Sequence, residues 1–563
     1  MAISLLRTDC YRFFVYAIVV IYKELIEMLS TKNTAPLPES GIIVRRSGKY
    51  HYVYKVLETF RNHKGQPTNT RKLIGRLDSE GKRLVPNDSY YELYGFDTST
   101  EFVPEFESVI SIGVPFLVAH ILSRLGTTLI LEKAIGIRRA RAVITAATYM
   151  VCEGNVFEHV SDWCERTMID GPSLSPQKAS SLFASLTHKE RMAFFREWVV
   201  ANTKQGYVSY DVTSFSSYAE GIHDLEWGYN RDGDRLPQVN LGCYLAQESC
   251  LPMFYVTYPG SIVDKSHLPY MMAYNKELGI GGNIVFVMDR GFCSTLNVNY
   301  MHSESLHYVM SVDTRHKATQ AAIDSARETI VSLRNLAGDG TYAVAIRSRF
   351  YGESSVMHVY NSPELGERQR RDLLRMVKNM EEELAQLDTL SEKQLKRFAR
   401  FLDIKTDNGK LSFTRNYDRI DEVSKNCGIY CILTNTLLTS AEVLDIYRKK
   451  DSIEKGFDDI KNHIDMKRMR VHTDATVGGK LFCAFIALIA ASEMSNCLNV
   501  YNDAGKHRTL SKRGLISELE KIRVFVTPDG KRLMNPLTKT QRDLFKAFKA
   551  SDADLNAYIS NES

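Results

Sequence analysis

Hydrophobic and polar positions along this chain fall into blocks whose period changes several times. Residues 1–35 have the spacing of a helix. Residues 41–77, GIIVRRSGKYHYVYKVLETFRNHKGQPTNTRKLIGRL, switch to short strand-like runs with basic and aromatic residues interleaved. Turns are expected there at Ser47-Gly48 and Lys64-Gly65. From about 105 to 200 the period becomes helical, and the spacing predicts short helices over 112–124, 139–152, 157–163, 176–186 and 188–200.

A third block reads as an α/β domain with a mixed sheet. GYVSYDVTSFS (206–216) predicts a strand ending at Asp211, and 239–247 and 251–260 predict two more joined by a short turn. A helix is expected over 263–278, then Gly281-Gly282 lead into NIVFVMDRG, an apolar strand ending at Asp289. A short helix near 294–301 precedes a fifth strand, HYVMSVD (307–313). Residues 314–427 interrupt the pattern with strand character over 342–361, a charge-laced helical stretch over 365–401 and short strands over 403–414. A buried strand returns at 428–435, followed by one long helix over 440–461, capped by Thr439 or Ser440. An apolar helix near 480–498 and a basic tail over 506–549 complete the chain.

Composition narrows the class without naming a function. A chain of 563 residues exceeds one ordinary core, and three or four domains are expected. Apolar residues at 44% and charged residues at 25% describe a folded protein, not a disordered one. The net charge of +5, from 72 basic and 67 acidic side chains, is compatible with a nucleic-acid partner but does not argue for one. The longest apolar run, LFCAFIALIAA (481–491), is far below the ~20 residues that span a bilayer, so it reads as a buried helix. The N-terminus lacks the pattern of a signal peptide, and a cytoplasmic protein without a membrane partner is expected. The ten cysteines, Cys427 and Cys431 included, read as reduced, packed thiols.

Asp211 and Asp289 each close an apolar run at the mouth of the expected sheet. Alone, each reads equally as a turn or helix-cap residue. Together in one sheet they suit Mg²⁺ or Mn²⁺, which take hard oxygen ligands. A third acid has to come from the helix after 440. There Tyr447, Lys450, Glu454 and Lys461 fall within about 60° of one another at about 100° per residue, with Ile453 and Phe457 as an adjacent apolar anchor. The same spacing describes an ordinary amphipathic helix, and periodicity does not choose Glu454 over Asp451 or Asp458. His302, His307 and His316 follow the second acid at irregular separations that do not suit zinc.

These segments resemble the DDE transposases of bacterial insertion sequences, in the subgroup with an insertion before the third acid. DVTSFS carries the first aspartate, GYNRDGDRLPQVNLG resembles the stretch after it, and PGSIVD and VFVMDRGF resemble the approach to the second. YRKKDSIEKGFDDIK resembles the subgroup's helix of tyrosine, arginine, glutamate and lysine, with Lys450 standing where the family has arginine and Arg448 close by. The resemblance implies a ribonuclease-H-like catalytic domain with Asp211, Asp289 and Glu454 as catalytic and metal-binding residues. It implies Tyr447, Lys450, Lys461 and Arg448 as DNA contacts, and two Mg²⁺ ions, replaceable by Mn²⁺. Asp211 would bridge both ions, with Asp289 and Glu454 each completing one side; Arg290 and Asn230 are candidates to orient them. The implied partners are double-stranded DNA with terminal inverted repeats, target DNA and a second copy of the chain.

The organisation expected is a helix and basic β module over 1–100, a helical region over 101–200 for DNA-end binding, and a catalytic domain in two parts, 201–313 and 428–500. The insertion over 314–427 separates those parts and would lie over the DNA end, where it would receive a flipped base; a basic tail occupies 501–563. A metal-dependent nuclease and an inactive, transposase-derived DNA-binding protein are the alternatives. The intact set of acids argues against the second.

Overall fold

The computed structural model describes residues 35–560 apart from Lys49, His63, 79–80, 95–105, 168–172, 203–205, 229–232, 234, 280–283, 408–409 and 506–508. The helix expected over 1–35 lies outside the described residues. Two compact units are present, one from Met1–Ser108 and Phe525–Asn535, the other from Val109–Val524 and Pro536–Ser563.

In the first unit, β1 (Ile42–Ser47), β2 (Tyr50–Arg61), β3 (Pro67–Leu77) and β4 (Leu84–Pro86) form an antiparallel sheet in chain order. Alternation sends Val53 of β2 and Ile74 of β3 into a small core with Leu84, closed by Tyr90 of helix α1 (Asp88–Tyr94). Tyr52, one position along β2, pairs with Arg45 and Arg76, and the Arg76 guanidinium lies over the Tyr50 ring. β5 (Ser108–Ser111) follows.

The second unit begins with helices α2 (Gly113–Arg124), α3 (Thr127–Ile135), α4 (Ile137–Glu153), α5 (Val160–Thr167), α6 (Pro176–Ser185) and α7 (His188–Asn202). Only α3 was not expected from the spacing. It is set off from α2 by Gly126, whose φ of +77° suits glycine.

Among the described residues the central sheet has nine strands: β6 (Gly206–Ser216), β7 (Gln238–Ala246), β8 (Pro252–Pro259), β9 (Ile284–Met288), β10 (His307–Ser311), β11 (Leu336–Gly338), β12 (Thr341–Phe350), β13 (Glu353–Asn361) and β16 (Ile429–Thr434). Their order across the sheet is β11-β12-β13-β16-β10-β9-β6-β7-β8. β6, β7 and β8 make an antiparallel meander. β9 and β10 run parallel to β6, reached through helices α8 (Asp264–Glu277) and α9 (Thr295–Ser303), because parallel neighbours need a long crossover. Every residue of β7 is buried, as a strand covered on both faces requires. This is the ribonuclease-H-like mixed α/β arrangement anticipated from the sequence.

The excursion between β10 and β16 has two parts. After α10 (Lys317–Ala326), β12 and β13 extend the central sheet itself, and β13 pairs antiparallel with β16 from Val356↔Thr434 to Asn361↔Ile429. Then α11 (Pro363–Leu384), α12 (Glu392–Phe398), the hairpin β14 (Leu402–Asp407) and β15 (Lys410–Arg415), and α13 (Tyr417–Ser424) enclose their own core of Leu373, Val377, Leu384, Phe398, Phe401, Leu402 and Ile420. The charge-laced stretch is therefore amphipathic, with its apolar stripe facing this core.

After β16 come α14 (Ser440–Arg448), α15 (Asp451–Asp458) and the long α16 (Asp474–Asp503). Leu481 to Ala491 of α16 are each no more than 5% exposed. The helix is long and apolar enough to cross a membrane by composition, yet it serves as a core helix here. Phe195 of α7 contacts Phe254 of β8 and Phe485 of α16 edge-on, at centroid separations of 4.9 and 5.1 Å, and the Trp198 indole donates to Pro252 O at 2.9 Å. The helical region and the central sheet thus share one core. Helices α17 (Lys512–Leu519), α18 (Lys539–Ala547) and α19 (Asp552–Ser560) lie within the basic tail, and two short strands, Arg523–Val526 and Arg532–Met534, come between α17 and α18 in the chain. The nine cysteines among the described residues are free thiols.

Two adjacent glycines in α16 allow a sharp test of packing. A Cβ on Gly479 would meet Phe183 O at 2.0 Å, a backbone atom that cannot yield without moving α6. A Cβ on Gly478 would meet only the flexible end of Arg191. Gly479→Ala is expected to destabilise by about 1–3 kcal/mol. Gly478→Ala is expected to be near neutral, because helix propensity favours alanine by about 1 kcal/mol. Urea denaturation of both variants would reveal the difference.

Candidate active site

The site is built on the parallel pair β6–β9. Their register matches Ser209 with Val287. Asp211 and Asp289 each lie two residues beyond that pair, at equivalent positions on the two segments, and both act electrostatically on Lys450 and Tyr447. The strand does not end at Asp211 as the sequence pattern suggested: β6 continues to Ser216. Antiparallel β7 holds that extension, pairing Asp211 with Cys243 and Ser216 with Gln238, while pairing with β9 stops at Ser209. Asp211 thus sits mid-strand on one side and beyond the ladder on the other. Asp289 follows the last residue of β9 and caps a short 3-10 turn, its carboxylate accepting from Gly291 N.

The single helix expected over 440–461 is broken twice. Thr439 caps α14 in a reciprocal pair with Glu442. At its end the backbone tightens: Lys450 N donates to Tyr447 O at 3.1 Å, Ser452 N to Lys449 O at 3.1 Å and Ile453 N to Lys450 O at 2.9 Å. These are three-residue spacings, for which side chains three apart eclipse. Tyr447, Lys450 and Ile453 accordingly share the inward face, with Lys450 6% and Ile453 1% exposed. A π turn, Asp459–His463, ends α15, and Lys461 lies in that turn. A hydrophobic pattern with a uniform period cannot distinguish this from one straight helix.

Lys450 is brought into contact with two of the acids. Its Nζ lies 3.3 Å from Asp211 Oδ2 and 3.6 Å from Glu454 Oε1. The Lys450 and Asp211 side chains are 7% and 16% exposed, whereas Glu454 is 66% exposed. Asp211 Oδ1 accepts from Val212 N at 2.8 Å. Burial works against charge on Lys450, but Asp211, Tyr447 and Asp289 outweigh it and hold the ammonium above the ordinary lysine value. Tyr447 packs against the core cluster that joins Val287, Val309 and Ile432 of the sheet to the buried residues of its own helix, and burial pushes its phenol up. Arg448 points elsewhere, to Asp339 at 2.6 Å.

Gln247, buried just beyond the end of β7, was not singled out from the sequence. Its Nε2 donates to Ser209 Oγ at 2.9 Å and to Ile446 O at 3.0 Å, pinning the last turn of α14 to β6. A glutamine ending an apolar strand is the only signal the sequence offers. The three histidines do not form a set: His302 contacts Tyr308, His316 stacks on Tyr351, and the Nδ1 of His307 has no hydrogen-bond partner. Arg290 is exposed in the turn after Asp289, and Asn230 lies outside the described residues.

Asp211, Asp289 and Glu454 are hard-oxygen donors whose chemistry fits a divalent cation such as Mg²⁺. Among the described residues, however, no group of three or more His, Cys, Asp or Glu converges closely enough to hold one. The Lys450 ammonium stands between Asp211 and Glu454.

A family model described as "Transposase DDE domain" matches residues 203–490. Among solved structures, the chain is similar to the cryo-EM structure of the piggyBac transposase synaptic complex with hairpin DNA. That similarity covers 80% of this chain and 82% of that chain at 10% identity, with a TM-score of 0.31. No curated protein matches the chain.

The Asp211–Lys450 contact should register in stability. Removing one member of a buried pair leaves an uncompensated charge, at a cost of about 3–5 kcal/mol. Asp211→Asn and Lys450→Met are each expected to destabilise, and the double variant by less than their sum. A double-mutant cycle in urea should give a coupling of about 1–3 kcal/mol; additive effects would show that the two groups do not interact.

Proposed function

The chain belongs to the transposase DDE domain family, and on that premise we propose that it cuts DNA at the ends of an insertion sequence and joins them to target DNA. The single observation that carries this reading is the register of β6 and β9. It supports equivalent positions for Asp211 and Asp289, each two residues beyond the last paired residues of adjacent strands, within the segment matched by the family model. Glu454 is the third acid in this reading, supported by its contact with Lys450, which also touches Asp211.

In the proposed reaction Asp211 contributes to both sides of the site. Asp289 and Glu454 each complete one side. Bound Mg²⁺ would supply Lewis-acid activation of the attacking oxygen and stabilise charge on the leaving oxygen at phosphorus. The protein's own part is positioning. Gln247 fixes α14 against β6, and the tightened turn aims Lys450 at the acids. Arg448 on α14 and Lys461 in the π turn are proposed to grip DNA phosphates, with Tyr447 supporting them from its half-buried position. The basic and aromatic sheet of the first unit, with Arg45, Arg71 and Arg76 beside Tyr50, Tyr52 and Tyr54, is proposed as a further DNA contact. Two ends have to be held together during joining, so a homodimer on DNA is proposed. The excursion between β10 and β16 supports placement in the subgroup that carries an insertion before the third acid.

Strand transfer of a pre-cleaved end in the presence of Mg²⁺ tests the reading. Asp211→Asn, Asp289→Asn and Glu454→Gln are each expected to lose activity on the order of 10³-fold or more while remaining folded. Unchanged cutting and joining by Glu454→Gln would remove that residue from the set. Cutting without joining in the wild type would make the protein a nuclease.

A further inference from the structure

Among the described residues Lys450 is the one buried cation at the site, and its position is unusual for a residue whose family counterpart is expected to hold DNA. Its ammonium is 3.3 Å from Asp211 Oδ2 and 3.6 Å from Glu454 Oε1, with its side chain only 7% exposed. Three features put it there: the three-residue hydrogen bonds at 447–453, the pinning of Ile446 O by Gln247, and the apolar seat of Tyr447 and Ile453 on either side.

From this arrangement we infer that Lys450 competes with the divalent cation for Asp211 and Glu454, and that a DNA phosphate relieves the competition by drawing the ammonium away. The inference rests on the assignment of Asp211 and Glu454 as metal ligands. A divalent cation bound to the oxygen that Lys450 now contacts would stand within a few ångströms of a unit positive charge. In a site this poorly screened, like charges at that distance repel strongly. The two cations therefore exclude each other unless the side chain moves.

Lysine can make that move. Its ammonium is a point charge on a flexible four-carbon stem, and it needs no planar match with its partner. Glu454 is largely exposed, so it marks the side on which the stem can swing out toward solvent or an arriving phosphate. A phosphate there would take over the neutralising role of Asp211 toward Lys450 and leave Asp211 free for the metal. Metal and DNA binding would then be linked, each favouring the other to the same degree. Such a device would keep the site from loading metal, and from cutting, before a DNA end is in place.

The experiment is Mn²⁺ binding to the full chain, read from loss of the free-ion electron paramagnetic resonance signal, with no activity measured. Lys450→Met and Lys450→Gln remove the competing charge and should bind Mn²⁺ at least tenfold more tightly than wild type without DNA. Lys450→Arg keeps the charge and should bind as weakly as wild type, and Mn²⁺ binding is read under conditions in which each variant's own circular dichroism shows it folded. A short duplex carrying the element's own end should tighten Mn²⁺ binding to wild type by a larger factor than to Lys450→Met. Affinity unchanged or weakened in both neutral variants, with Asp211→Asn still abolishing binding, would overturn the role given to Lys450 and leave the metal assignment standing. Mn²⁺ binding indifferent to Asp211→Asn would overturn the metal assignment, and this inference with it.

Discussion

A carboxylate in the middle of a strand whose neighbours are buried is a costly thing to keep ionised, by several kcal/mol if nothing answers it. Asp211 is such a group, and Lys450 answers it from an element more than two hundred residues away in the chain. Much of the local architecture serves that meeting. β7 carries β6 past the point where β9 stops, which leaves one side of Asp211 open. The tightened turn after α14 brings an ammonium to that open side, and a buried amide holds the turn at the right height. The pair also sets what else the site can accept, because any cation or phosphate entering has to negotiate with a charge already in place.

The central sheet was legible in the sequence because its strands are short apolar runs bounded by turn residues. The parallel stretch is especially plain: IVFVM buried on both faces, then an aspartate where the ladder ends. The helices of the front region were legible for the complementary reason, a clear apolar stripe at helical period. Their sharing of one core with the sheet was not, since Phe195 meeting Phe254 and Phe485 depends on tertiary packing that no local pattern encodes. The end of β6 was misplaced at Asp211 because a charge in an apolar run looks like a terminus. β7 pairs with the backbone, however, and a side chain pointing to the open face does not disturb that ladder.

The helix after β16 shows a subtler limit. A 3.6-residue wheel puts Tyr447, Lys450, Glu454 and Lys461 on one face, and that grouping follows from assuming uniform winding. Tightening at 447–453 changes the local winding so that Lys450 is buried while Glu454 is not, and a π turn at 459–463 changes it in the opposite sense where Lys461 lies. Departures of this kind are set by what the helix packs against. Arg448 illustrates the same point: adjacent in sequence to the inward-facing Tyr447, it is drawn outward to Asp339.

The pairing of β13 with β16 bears on how the excursion between β10 and β16 should be regarded. A segment of that length, with a small core of its own, invites description as a module that could be lost or exchanged. Yet its first hairpin covers the flank of β16, whose six residues, IYCILT, carry no charge and no proline. Stripped of β13, that strand would present a row of unpaired amides and carbonyls beside β-branched and aromatic side chains, the composition most prone to recruiting a foreign strand. The hairpin is therefore a guard against self-association as much as part of an appendage. A shortened relative of this chain would need another way to blunt that edge.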